Sequence, residues 1–178
     1  MTAAVQTVAK AKIGAAHVTW NGTDLGGCDA VKVKIGSAGY AELTFSQWGK
    51  TVLNMISQGR IVEVEFPMKE TNIDNLAKVF TNISVAGTTA KKAVITHGVG
   101  TSMLADAKVL VIYRLADPAT DISGTDDTYT FTYATPIGDV EESYDLENYT
   151  VYPIRFRIFP DAATVANGYG YRGAVTSA

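Results

Sequence analysis

The sequence predicts a mainly β fold, a β-sandwich or barrel with one flanking α-helix, and three observations carry that prediction. Residues 59–80 read GRIVEVEFPMKETNIDNLAKVF. In this stretch Val62, Val64 and Phe66 alternate with Glu63 and Glu65, the period-2 pattern of a half-buried strand. Two later stretches alternate as cleanly: Tyr129, Phe131 and Tyr133 against threonines, and Tyr152, Ile154, Phe156 and Ile158 against Arg155 and Arg157. The clearest helical spacing is that of Ile73, Leu76, Ala77 and Phe80, at i, i+3, i+4 and i+7 behind a cap at Thr71 or Asn72.

Taken in order, residues 1–14 are Ala-rich without either period and form an N-terminal arm, residues 15–161 form the domain, and residues 162–178 are a Gly- and Ala-rich tail. His17 to Trp20 and Thr23 to Leu25 flank Asn21-Gly22, a strong hairpin signal. Val31, Val33 and Ile35 alternate with Lys32 and Lys34, and a turn at residues 36–39 returns the chain as a second hairpin through residues 42–46. Residues 47–58, QWGKTVLNMISQ, keep neither period and are read as a long loop or a short helix. Trp48, Val52, Leu53, Met55 and Ile56 make that segment too apolar for a free loop, which leaves a short helix packed on its own core or a loop that buries these side chains against another chain. Pro67 is expected to end the central strand, for want of an N–H. A short strand at residues 93–96 follows a Gly87 turn, and Val109 through Tyr113 reads as a strand buried on both sides. Residues 117–127 and 138–148 are acidic loops, and the last strand ends at Pro160.

The 178 residues suit one domain with a core of its own. A net charge of −3 argues against a protein that grips phosphates, which needs a concentrated basic face. The single cysteine, Cys28, has no partner within the chain for a disulfide, and its bland reading is a small buried side chain. Neither a signal peptide nor a membrane span is expected in the first residues, whose lysines follow rather than precede the apolar ones. Enzyme signatures are lacking. His17 and His97 have no acid or nucleophile at a motif spacing, and Asp121 to Asp127 lacks the spacing of a calcium loop. Gly168, Gly170 and Gly173 match G-x-G-x-x-G without the strand and helix that give it meaning. Glu141-Glu142 reads as a wet edge. No catalytic residue, metal or cofactor is therefore expected.

The order of features resembles the tail tube, or major tail, proteins of long-tailed bacteriophages and related injection machines. The residues that carry the likeness are the Asn21 to Gly27 hairpin, the paired stretch from Val31 to Ser46, and the long segment opening Trp48-Gly49-Lys50-Thr51-Val52. Gly59 with its alternating strand, the Asn72 to Phe80 helix and the strand at Val151 to Phe159 complete it. The resemblance implies a tail-tube-like sandwich in homohexameric rings that stack into a tube, the segment at residues 47–58 reaching neighbouring subunits and the adjacent ring. It implies a location in the virion tail after synthesis in the host cytoplasm. The partners it implies are a tape measure protein in the bore, a tail terminator and distal tail or baseplate proteins, with DNA passing through and no membrane insertion. Six subunits of −3 give −18 per ring, so a bore lined by Glu42, Glu63 and Glu65 would repel sliding DNA. Lys32 and Lys34 weigh against a purely acidic bore, unless they pair with those glutamates. Two other readings stay open: a monomeric β-sandwich module binding carbohydrate or protein through Trp48 or the Tyr129, Phe131, Tyr133 face, and a tail terminator or connector that forms single rings.

Overall fold

The structure is a computed structural model. It describes residues 16–26, 28, 30–45, 47, 49–69, 73–80, 83–95, 99–100, 102–117, 120–121, 128–138, 152–163 and 168–173. In chain order come β1 (Ala16–Trp20), β2 (Thr23–Asp24), β3 (Lys32–Ser37), β4 (Tyr40–Thr44), β5 (Val52–Ser57) and β6 (Arg60–Met68). Helix α1 (Ile73–Val79) follows, then β7 (Ile83–Ala86), β8 (Lys92–Ile95), β9 (Lys108–Asp117), β10 (Thr120–Asp121), β11 (Tyr129–Ile137), β12 (Tyr152–Phe159) and β13 (Tyr171–Arg172). The fold is mainly β with one helix among the described residues. The expectations made for residues 1–14, Trp48, the Thr71-Asn72 cap, His97 and the acidic residues 122–127 and 139–148 lie outside those residues.

The main sheet runs β2-β1-β9-β11-β12-β6-β3, with every pair antiparallel. Its two ends meet at Cys28, which bridges Ala16 of β1 on one side and Met68 of β6 on the other. β2 thus lies beside β1 and β3 beside β6, and the Cys28 bridges between them roll the sheet into a barrel. Alternation sends Val62, Val64 and Phe66 of β6 and Ile154, Phe156 and Ile158 of β12 into the barrel, where they are buried. Phe156 sits centrally, its ring 5.8 Å from Trp20 and 6.0 Å from Phe66. The indole N–H of Trp20 donates to the Ala134 carbonyl at 3.1 Å, tying β1 across the core to β11. Val79 and Phe80 bring the helix onto one end, Phe80 meeting Tyr152 edge-on.

Several expectations are corrected by this architecture. The residues 36–39 do not turn the chain back. β3 pairs with β6, and β4 pairs with β5, so β3–β4 and β5–β6 form one long two-stranded ribbon. Ala38 N–H to Gly59 carbonyl and Gln58 N–H to Gly39 carbonyl carry the pairing through the junction. Gly39 allows this with φ +136°, where a Cβ would also lie 2.7 Å from Gln58 Oε1. Residues 52–57, read as loop or helix, are strand β5. Pro67 does not end β6; it lies opposite Pro153, beyond Glu65 where the pairing with β3 stops, so its missing N–H costs β3 nothing. Leu76 and Phe80 of the predicted helix face pack on the core, but the helix also buries Asn75 and Val79 and leaves Ile73 exposed. Val109 is exposed, so β9 alternates at its start and is not covered on both sides there.

Part of the expected 162–178 tail is also structured. Tyr171 pairs with Thr130 and Arg172 with Tyr129, and the Gly173 N–H donates to the Thr128 carbonyl at 2.9 Å. Gly170, at φ +142°, runs so close to β11 that a Cβ would stand 2.3 Å from the Thr130 carbonyl oxygen. Gly170→Ala is therefore expected to cost about 1–3 kcal/mol and release β13. Hydrogen exchange at the Gly173 amide would rise; unchanged protection there would show that the close approach is not needed.

Candidate functional site

Two surfaces stand out, and the ribbon joins them. At its far end β4 and β5 pair with each other and with no third strand among the described residues. Because side chains alternate along both strands, Ala41 and Leu43 share a face with Ile56, and Tyr40 and Glu42 share the other with Met55. Phe45 follows directly after β4. The exposures are high for apolar groups: 62% for Phe45, 52% for Ile56 and 51% for Met55. Leu43, Val52 and Leu53 are exposed as well. A two-stranded hairpin is marginal in water by itself, and this one lacks a core of its own. Of the expected interface residues, Val52, Leu53, Met55 and Ile56 lie together on this arm, while Trp48 falls outside the described residues.

At the near end the outer faces of β3, β6 and β12 form a charged ladder. Glu65 stands between Lys32 and Arg155 in register, and Glu63 between Lys34 and Arg157. Lys34 Nζ reaches Glu65 at 2.6 Å, Arg155 Nε reaches it at 3.2 Å, and Arg157 donates to Glu63 at 2.7 Å. The bonded Lys34 ammonium, with Arg155 and Lys32 adding, holds the Glu65 carboxyl below its ordinary range. The expected pairing of lysines with glutamates is thus present at Lys34. Four cations against two carboxylates leave the ladder at +2, so Glu63 and Glu65 do not make an acidic strip. Glu42 is not with them; it lies on the arm opposite Met55.

The sign of the Glu65 shift fixes a pH effect. A carboxyl whose pKa is lowered by folding favours the folded chain above its unfolded pKa, and that contribution fades as pH falls through the lowered value. Lys34→Gln is expected to raise the Glu65 midpoint, read by carboxyl-carbon NMR. A midpoint that stays put would mean that Lys34 is not its chief partner.

His17 and Cys28 are placed structurally. His17 Nε2 lies 2.9 Å from Asp24 Oδ1, across the first hairpin, and Asp24 Oδ1 also accepts the Gly26 N–H. Cys28 is buried at the seam of the barrel. Among the described residues there is no cluster of three metal-ligating side chains and no helix long and apolar enough to cross a membrane. The sequence reading missed β13 and the cleft that it walls. Its signal was Tyr169-Gly170-Tyr171, an aromatic alternation hidden inside a dismissed glycine motif.

No family model matches the chain, and no curated protein matches it in sequence. Among solved structures, Hcp1 from Flavobacterium johnsoniae superposes with a TM-score of 0.41 and 14% identity, covering 80% of this chain and 89% of that one.

Proposed function

We propose that this chain is a structural, non-enzymatic subunit of a phage-type tail tube. In this reading six copies close into a ring, the rings stack, and the bore conducts DNA from virion to host. The observation that carries the reading is the projecting β4–β5 arm, whose apolar side chains on both faces are left uncovered by the described residues of their own chain. A second copy supplies the cover, as repeated self-association requires. The order of hairpins, arm, central strand and helix, which resembles the tail tube proteins, supports the same reading. The tape measure, terminator and baseplate partners, the virion location and the passage of DNA follow from that resemblance.

The charged ladder refines the expectation for the bore. If β3, β6 and β12 line it, DNA meets a surface with a +2 excess per subunit, so acidic repulsion by Glu63 and Glu65 does not carry the sliding there. Electron microscopy of the purified chain over a concentration series, with sedimentation alongside, tests the proposal. Stacked rings with an open bore are the expected result. Single rings that never stack would favour a terminator or connector, and a monomer at every concentration, even with preformed tube fragments as seeds, would overturn self-assembly.

A further inference from the structure

We propose that the mouth of the barrel opposite α1 binds an acidic sugar, a pyranose ring carrying a carboxylate. A cleft of about 320 Å³ opens there, near the small end of the range for ligand sites. Three distant parts of the chain wall it: Arg60 from the start of β6, Tyr129 from the start of β11, and Tyr169 and Tyr171 on either side of Gly170. Since α1 follows the other end of β6, cleft and helix occupy opposite ends of the barrel.

The walls are held in place by the fold. Tyr169 donates its hydroxyl hydrogen to the Arg60 carbonyl at 2.8 Å, and the Asp161 N–H donates to the Gly168 carbonyl at 2.7 Å. The pairing of β13 with β11 and the tight approach of Gly170 fix the remaining wall. A cleft fixed in this way spends little binding energy on ordering its own side chains.

The chemistry of the lining selects the ligand. Among the described residues no acidic side chain lines the cleft, which disfavours a cation. Arg60 presents a planar fork of N–H donors that matches a carboxylate, and among the described residues no carboxylate is paired with it. Tyr129 lies nearly parallel to Phe131, their rings 6.0 Å apart, and the Arg172 guanidinium covers Tyr129 at 5.2 Å. With Tyr129 covered and the Tyr169 hydroxyl hydrogen given to Arg60, it is the ring of Tyr169 and the ring and hydroxyl of Tyr171 that supply the two contacts that the C–H face and hydroxyl rim of a pyranose take. An inorganic anion would leave the aromatic walls unused, and the cleft is short for a nucleotide with base, ribose and phosphate.

Saturation-transfer NMR on the full chain, with glucuronate as the probe, tests this. Glucuronate is expected to receive saturation at its ring protons, glucose to bind roughly tenfold or more weakly, and neither phosphate nor AMP to displace glucuronate at equal concentration. Arg60→Gln is expected to weaken glucuronate binding by a similar factor at an unchanged melting temperature, while Lys50→Gln, on the distant arm, leaves it unaltered. If Arg60→Gln melts early, Arg60→Lys, which keeps the charge and loses the fork, is expected to show the same loss. Amide shifts on adding glucuronate are expected at Tyr129, Tyr169 and Tyr171. Absence of saturation, equal binding of glucose, displacement by phosphate or AMP, or shifts confined to other regions would each overturn the proposal.

Discussion

Replacing Phe45 and Ile56 together with serine is expected to give a folded chain that no longer forms rings or tubes. Both side chains are more than half exposed on the isolated chain, so their loss should move its stability by no more than about 0.5 kcal/mol. In an assembly that covers the arm, burying the still exposed half of each side chain contributes about 1–1.5 kcal/mol. Losing two per contact raises the concentration needed for assembly by roughly thirtyfold to a hundredfold. Sedimentation velocity and electron microscopy read the assembly, and a thermal melt reads the fold. Normal polymerisation of the double variant would remove the arm from the interface, and an early melt would show that the arm packs on its own barrel.

The second large effect lies in the core. Phe156 is fully buried between Trp20 and Phe66, and Phe156→Ala is expected to cost about 3–5 kcal/mol through lost transfer energy and the cavity left behind. Against a typical total of about 5–15 kcal/mol, that is enough to bring the barrel close to unfolding. Urea denaturation followed by tryptophan fluorescence measures it, since Trp20 reports directly on this site. A loss below about 1 kcal/mol would mean that the neighbours collapse into the space and that Phe156 is not the centre of the core.

Strands whose two faces differ were legible from sequence. The alternation in residues 62–66 and 152–158 located β6 and β12 because one face meets the core and the other meets water. Asn21-Gly22 located the first hairpin because both residues adopt positive φ, 52° and 72°. Residues 52–57 were misread as loop or helix for the converse reason: β5 is exposed throughout, so no burial contrast imprints a period on its sequence. Residues 36–39 look like a turn because glycine and serine are there, yet the same residues serve a junction in a continuing ribbon. Which strand pairs with which was beyond local pattern. Lys34 was suspected of meeting a glutamate, but its contact with Glu65 depends on the register of β3 against β6. The cleft was invisible because its walls are about 110 residues apart in sequence, joined only by the return of β13.

The pairing of β1 with β9 sets a clock for synthesis. Ala16 needs Arg114 as its partner, so β1 waits while 98 further residues are added. At about 5–20 residues per second that wait is roughly 5–20 seconds. β6 waits similarly for β12, while the ribbon of β4 and β5 closes locally and early. If the arm is the contact proposed above, it is complete well before the barrel that carries it, and each nascent copy then passes through a period in which the contact surface exists and the barrel does not.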